Sequence, residues 1–189
     1  MKDFDRVHPQ AALCGLNCLL CPLNVGGYCP GCGGGTGNQG CPRARCARDI
    51  GITDFCFQCG QYPCALYDHS SDYDSFVPTG QMEEDMRRIQ ELGAEAYVRA
   101  LEEKRVILDT LLAEWNDGRR KSLYCTAAYR LELDVLRTVT SQVQAAVPGD
   151  MPVRERAARM AAALQAAADT RGITLKLNKK VKGKGRKQT

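Results

Sequence analysis

The chain has few of the features that would place it in a membrane or outside the cell. No run reaches the roughly 18 consecutive apolar residues needed to span a bilayer. The first ten residues also lack the apolar stretch of a secretory signal. Histidine is scarce, at two residues, and only one tryptophan occurs among 189 residues. We therefore expect a protein of the reducing cytoplasm with no membrane as its partner.

Cysteine, in contrast, is abundant and concentrated. Two cysteines separated by two residues are usually too constrained for a relaxed disulfide, yet they hold one metal ion well. Disulfides are also rare in a reducing compartment. The sequence therefore predicts a metal-binding module. Its ten candidate ligands all lie between residues 14 and 64 and are Cys14, Cys18, Cys21, Cys29, Cys32, Cys41, Cys46, Cys56, Cys59 and Cys64.

The spacings divide these cysteines into four motifs. The first is a C-x3-C-x2-C triplet, whose three sulfurs would share one face of a helix and would need a fourth ligand. Two C-x2-C-G knuckles follow, at Cys29 and at Cys56, and their glycines permit the tight turn of a tetrahedral site. Two partitions remain open: a ribbon that pairs the two knuckles, or the contiguous quartet Cys29, Cys32, Cys41 and Cys46.

The two histidines offer a third way to complete the sites. His69 follows Cys64 at the spacing of a zinc knuckle, and His8 precedes the first triplet. With both included, three four-ligand sites result. An ordinary exposed histidine is the competing interpretation of His69, and the case for His8 is weaker.

The cysteine pattern does not decide between zinc and iron. Four thiolates bind either, and [4Fe-4S] clusters also use a close triplet with a distant fourth cysteine. The knuckles favour zinc, whereas the triplet and the all-sulfur supply favour clusters. Near Cys41 and Cys46, Arg43, Arg45 and Arg48 would offset the negative charge of either centre; a plain basic surface is the competing interpretation.

The cysteine pattern resembles a bacterial and archaeal cysteine-rich domain of unknown function that opens with Cys-Gly-Leu. The resemblance rests on Cys14-Gly15-Leu16-x-Cys18-x-x-Cys21, on Cys29-Pro30-Gly31-Cys32 and on the closing cysteines, with Pro63 before the last. It covers residues 12–68. The histidines are not part of this pattern. The resemblance implies no established activity, and it raises the iron-sulfur alternative somewhat by analogy.

Beyond residue 80 the pattern becomes helical. Apolar residues recur every three, four or seven positions, which predicts helices over Met82–Leu92 and from Ala94 to about Asn116. A third helix is expected from a Ser122 cap to about Val147, and a last one from Pro152 through Asp169. We predict a metal-stapled, loop-rich cysteine domain at 1–78, a helical bundle at 79–170 and a basic, disordered tail at 171–189.

The tail carries eight of the 26 basic residues and no acidic ones, so the rest of the chain is net acidic. A solvated tail is the plain interpretation. Single-stranded nucleic acid is an alternative partner, which would contact the tail lysines and stack on Phe57 and Tyr62.

Cys125 stands apart from the other cysteines. At a helix start near three basic residues it would have a lowered pKa and a reactive thiol, but such a cysteine is more often a small buried hydrophobe. Nothing in the sequence assembles an active site, so no catalysis is expected. We predict a zinc-binding interaction module with a protein partner; the alternative is an iron-sulfur protein that transfers electrons or supports a redox enzyme.

Overall fold

The computed structural model describes residues 4–35 and 40–180, and this part of the chain is mostly helical. The described residues contain no strand, and their single β-bridge joins Asp5 to Gly34. The helices are α1 (Pro22–Val25), α2 (Pro42–Asp49), α3 (Met82–Leu92), α4 (Ala94–Glu114), α5 (Lys121–Arg130), α6 (Leu133–Ala146) and α7 (Val153–Asp169).

The cysteine-containing segment is made of loops and very short elements. Apart from α1 and α2 it has three single 3-10 turns, at Cys18–Leu20, Cys56–Gln58 and Ala65–Tyr67. Proline occupies the first position of both helices, where its missing N–H costs no hydrogen bond. This segment therefore has little regular structure with which to hold its shape.

Helix α4 is the centre of the bundle and packs against α3, α5 and α6. Its buried face includes Leu101, Leu108 and Leu111, each at most 3% exposed. The predicted Met82–Leu92 helix is confirmed, and Gly93 breaks the chain after it with φ +82°. The predicted helix from Ala94 ends two residues earlier than expected, at Glu114.

The third predicted helix is wrong as a single element. Instead of one helix from Ser122 to Val147, the chain forms α5 and α6, separated by extended residues at Leu131 and Glu132. The break buries Leu131 completely in the core. It also places Glu132 beside α3, where Arg88 donates to its carboxylate at 2.6 Å. No glycine or proline marks this break in the sequence.

One hydrophobic cluster joins the cysteine-containing segment to the bundle. Ala11, Leu20 and Phe55 belong to the same buried cluster as residues of α3 to α7. The 3-10 turn at Cys18–Leu20 packs directly on α4 and α5. Apolar contacts thus cross the predicted boundary near residue 78, and the boundary itself stays a prediction.

The start of the predicted tail is placed against residues 72–76. The Asn178 N–H donates to Asp74 Oδ2 at 2.7 Å, and the Asp74 N–H donates to the Asn178 carbonyl at 2.7 Å. Lys179 donates to the Ser75 carbonyl. Residues 181–189, nine of the nineteen residues of the predicted basic tail, lie outside the described residues. Among those described, no helix combines the length and apolar character that crossing a membrane requires.

Candidate metal centres

A tight turn at Gly15 carries Cys14 into the interior. Gly15 has φ +90°, and a Cβ built there would lie 2.4 Å from the Met82 carbonyl oxygen. Because L side chains rarely adopt this φ and the space is filled, only glycine suits the position. The turn leaves Cys14 5% exposed, in a buried cluster with Ala12, Tyr67 and Met82.

Four cysteines from three motifs influence one another electrostatically around Cys14. Negative charge on Cys32 or Cys41 raises the pKa of Cys14, and charge on Cys14 or Cys32 raises that of Cys18. Charge on Cys41 likewise raises the pKa of Cys32. We call Cys14, Cys18, Cys32 and Cys41 the inner sulfur group. This grouping differs from both partitions predicted from the sequence, because it divides motifs that those partitions keep whole.

Burial is the largest influence on the inner thiols, and it raises their pKa values. The pKa of Cys14 rises to about 11, and those of Cys18 and Cys32 rise as well. Backbone hydrogen bonds oppose this effect: one from Leu16 lowers the pKa of Cys14, one from Cys32 lowers that of Cys18, and one from Leu13 lowers that of Cys32. Such N–H groups stabilise thiolates once a cation binds them.

Arg6 supplies a buried positive charge to this group. The residue is 8% exposed, and its Nη1 donates to the Cys32 carbonyl at 3.1 Å while its Nε donates to the Asp54 carbonyl at 3.0 Å. Its charge and a side-chain hydrogen bond both lower the pKa of Cys32. Gly33 leaves the room that this arginine needs, since a Cβ there would lie 2.5 Å from Arg6 Cγ.

A second set of four cysteines lines one small cavity. Cys46 lies in α2. Cys56 begins a 3-10 turn and Cys59 directly follows that turn, while Cys64 comes after the cis Tyr62–Pro63 bond. The cavity has a volume of about 30 Å³. We call these four cysteines the outer sulfur group. The cavity has room for one or two water-sized atoms.

Cys56 connects the two sulfur groups. Its N–H donates to the Leu13 carbonyl at 2.8 Å, which fixes the closing knuckle beside the first triplet. Burial raises the pKa of Cys56 to about 12, and negative charge on Cys14 and Cys64 contributes in the same direction. The two groups are therefore neighbours and influence each other electrostatically.

Arg43 and Tyr67 line the outer cavity together. The Arg43 guanidinium lies 4.4 Å from the centre of the Tyr67 ring, and its Nη2 donates to the Leu66 carbonyl at 2.7 Å. Its charge lowers the pKa of both Cys14 and Cys56. The Tyr67 hydroxyl is buried without a hydrogen-bond partner of ordinary geometry. It lies near enough to the Cys56 sulfur to lower the pKa of that thiol.

Of the three arginines expected to offset thiolate charge, Arg43 alone has a visible effect on a described thiol. Arg48 pairs with Asp49 at 2.9 Å, and Arg45 is exposed. Arg6, which acts on Cys32, was missed by sequence reasoning. It precedes the first motif and shares no spacing with the cysteines, so no local signal marks it.

Two of the ten candidate ligands lie at the margin of these groups. Cys21 packs against the main hydrophobic cluster, although its charge still reaches Cys18. The carbonyl of Cys29 accepts a hydrogen bond from Asn24 Nδ2 at 3.1 Å. Neither residue lines the outer cavity.

The two histidines form hydrogen bonds with aspartates rather than contacts with the sulfurs. His8 Nδ1 lies 2.8 Å from Asp54 Oδ2, and its ring stacks on Phe55. His69 is exposed, has φ +57°, and makes a hydrogen bond of 3.1 Å with Asp72. These contacts favour the ordinary interpretation of both residues over a role as fourth ligands.

The rings suggested for nucleic-acid stacking pack against the protein itself. Phe57 stacks on Phe55 with ring centres 5.4 Å apart, and Tyr62 meets Tyr67 edge-on at 5.1 Å. Cys125 is 2% exposed, and burial raises its pKa to about 11. This thiol therefore matches the buried-hydrophobe interpretation, and the lowered pKa of the reactive alternative is wrong.

All eleven cysteines are free thiols. Within residues 4–35 and 40–180, no three His, Cys, Asp or Glu side chains are arranged as a ready metal site. Each sulfur group would therefore have to turn its side chains inward to ligate an ion. The donor chemistry nevertheless fits a thiophilic metal, since each group offers four thiols that form no disulfide, beside a cationic arginine.

Comparison with protein-family models, with curated proteins and with solved structures gives no match. The resemblance to the Cys-Gly-Leu family therefore stays a prediction.

Proposed function

We propose that the protein binds zinc through the inner and outer sulfur groups and that the metal-fixed segment acts as an interaction module. The outer group carries the proposal. Its four cysteines come from α2 and from the closing knuckle and surround a single small cavity. Four cysteines with a shared centre are a common ligand set of structural zinc.

The size of the outer cavity favours a single ion. A volume of about 30 Å³ accommodates one or two water-sized atoms, whereas a cubane cluster brings four iron and four sulfide atoms. The cavity is also lined by Ile50, Ile52 and Leu66, which would have to move apart to admit a cluster. An iron-sulfur centre is therefore the second choice at this position.

The neighbouring cations support thiolate ligation. Four thiolates around one zinc ion carry a net charge of −2, which is costly to bury without compensation. Arg6 faces the inner group, and Arg43 lies close enough to influence both groups. Both arginines are held by backbone carbonyls, so their charges are fixed in place.

Zinc would supply the stability that this segment lacks. Residues 4–80 have few regular backbone hydrogen bonds, and metal binding contributes on the order of 10 to 16 kcal/mol in small zinc-dependent peptides. A surface fixed in this way is suited to contact with another protein. Ile50 and Leu66, which are 54% and 37% exposed at the outer cavity, are available for such a contact.

The test is anaerobic purification followed by elemental analysis of the full chain. The proposal predicts a colourless protein with zinc and without labile sulfide. A brown protein with iron and labile sulfide would refute it and establish the iron-sulfur alternative. Binding to a single-stranded DNA column at low salt, lost as salt rises, would support the nucleic-acid alternative.

A further inference from the structure

A larger cavity lies apart from the cysteine-lined one, between α3, α4 and the junction of α5 with α6. Its volume is about 390 Å³, which falls in the range of small-molecule sites. Its lining includes four acidic and four basic side chains, so its formal charge is balanced. None of the ten clustered cysteines lines it, so it is separate from the proposed metal centres.

Most of the charges in this cavity pair with one another at its rim. Arg87 donates to Glu84 at 2.6 Å and also binds Glu91. Arg88 donates to Glu132 at 2.6 Å and lies 3.3 Å from Glu84. These side chains are exposed and already have partners, so they define the entrance without requiring a ligand.

Lys104 in the interior has no such partner. It is 8% exposed, lines the cavity, and makes no hydrogen bond or ion pair with any residue in the described part of the chain. Burial lowers its pKa, and the charges of Glu132 and Asp85 oppose that effect from beyond ion-pair distance. A buried ammonium without a hydrogen-bond acceptor is costly unless something else supplies one.

Asp85 provides the opposite charge in the same cavity. It is 4% exposed, and its Oδ2 accepts a hydrogen bond from Asn17 Nδ2 at 3.2 Å. The Tyr129 hydroxyl accepts the Asn17 N–H at 3.2 Å, and its own hydrogen has no acceptor among the residues described. The cavity thus holds unused donors at Lys104 and Tyr129, near a buried carboxylate. Arg130 also lines it and has a buried Nε without an acceptor, but its guanidinium pairs with Asp74 at 3.8 Å.

We propose that this cavity binds a small zwitterion of the α-amino acid class. The ligand carboxylate would accept from the Lys104 ammonium and the Tyr129 hydroxyl, and the ligand ammonium would donate to Asp85. Such a ligand fills the gap between two buried, opposite charges that do not reach each other. This inference does not depend on the identity of the metal.

The balance of charges argues against simpler ligands. An inorganic anion such as phosphate would meet Lys104 but would place a further negative charge near the buried Asp85 carboxylate. A simple cation would suit Asp85 but would be repelled by Lys104. A zwitterion satisfies both groups without changing the net charge of the cavity, which lowers the cost of burying it.

The test uses the full-length, metal-loaded protein and individual L-amino acids as probes, with binding followed by ligand-observed NMR and by thermal shift. Acetate, methylammonium and inorganic phosphate serve as single-charge probes. Lys104→Met and Asp85→Asn remove one charge each. Lys176→Met removes a lysine that is exposed and outside the cavity, and is the matched control. Circular dichroism checks each variant, and Lys104→Gln replaces Lys104→Met if the latter does not fold.

We expect at least one amino acid to bind the unmodified protein, and to bind at least about tenfold more weakly to each cavity variant, because a charged hydrogen bond is lost. Lys176→Met should bind normally, and each single-charge probe should bind at least about tenfold more weakly than that amino acid. The proposal is overturned if no amino acid binds at about 10 mM, if binding survives both cavity substitutions, or if phosphate binds more tightly than every amino acid.

Discussion

The side-chain amide of Asn17 donates to the carboxylate of Asp85 at 3.2 Å and so joins the first cysteine motif to helix α3. Asn17 is 2% exposed, and its Oδ1 also accepts a hydrogen bond from the Tyr97 hydroxyl at 3.0 Å. Its backbone N–H donates to Tyr129. One buried asparagine thus links the segment that holds the cysteines to three helices of the bundle.

We predict that Asn17→Ala lowers the free energy of unfolding by about 2 to 4 kcal/mol, because it leaves Asp85 and Tyr97 buried with fewer partners. Urea unfolding in the presence of zinc measures this loss. Gln142→Ala is the control, since Gln142 is exposed on α6 and should change stability by less than about 0.5 kcal/mol. Equal effects of the two substitutions would contradict the bridging role of Asn17.

The turn at Gly15 gives a second prediction, with a control in the same chain. Gly15 and Gly51 have φ of +90° and +76°, but only Gly15 has a neighbour in the way, the Met82 carbonyl oxygen. Gly51→Ala should therefore cost only the strain of a positive φ, about 1 to 2 kcal/mol. Gly15→Ala should cost more, because the backbone must also shift. Thermal unfolding compares the two variants, and a smaller loss at Gly15 would show that the turn is looser than described.

Arg6 is expected to matter for both stability and metal binding. Arg6→Met removes a buried cation that pairs with the Asp54 carboxylate at 3.5 Å and hydrogen-bonds the Cys32 carbonyl, so we expect a loss of about 3 to 5 kcal/mol and weaker zinc binding. Arg48→Met is the control, because its exposed ion pair with Asp49 should contribute at most about 1 kcal/mol. Competition with a chromophoric zinc chelator measures affinity. Unchanged affinity in Arg6→Met would rule out its role at the inner group.

Asp85 should make stability depend on pH. Burial raises its pKa from 3.8 to about 6, although the charge of Lys104 opposes the rise. Between these two pKa values the folded protein holds a proton that the unfolded chain has lost, so stability falls as pH rises from about 4 to about 6. The shift corresponds to about 3 kcal/mol.

The pH prediction is checked against Asp85→Asn, which cannot titrate. The difference in unfolding free energy between the two proteins isolates the carboxyl from other titrating groups. We expect the unmodified protein to lose stability relative to the variant as pH rises from 4 to 7. A difference that stays constant over this range would mean that the pKa of Asp85 is not raised.

The helices were largely predictable because they follow from local patterns. Apolar spacing located α3 fully, and Gly93 and Pro152 marked the limits of α4 and α7. The break between α5 and α6 was not predictable in this way. It depends on the burial of Leu131 and on a contact between Glu132 and Arg88, which is 44 residues away in sequence.

The cysteine region shows the same limit. Spacing identified the candidate ligands, but their grouping depends on contacts between distant segments, such as the hydrogen bond from Cys56 to Leu13. Arg6 and Asn17 act through contacts of this kind as well. Motif spacing alone therefore grouped Cys18 with Cys14 and Cys21, whereas in the structure Cys32, from another motif, also raises its pKa.

The proposed zinc sites are tested most directly by native mass spectrometry of the full chain and of two single substitutions. The unmodified protein should carry two zinc ions, one for each sulfur group. Cys64→Ser should lose the outer ion and retain the inner one, whereas Cys125→Ala, at a cysteine of α5 that belongs to neither group, should retain two. Loss of an ion in Cys125→Ala with none in Cys64→Ser, or a mass that reports iron and sulfide, would contradict the account.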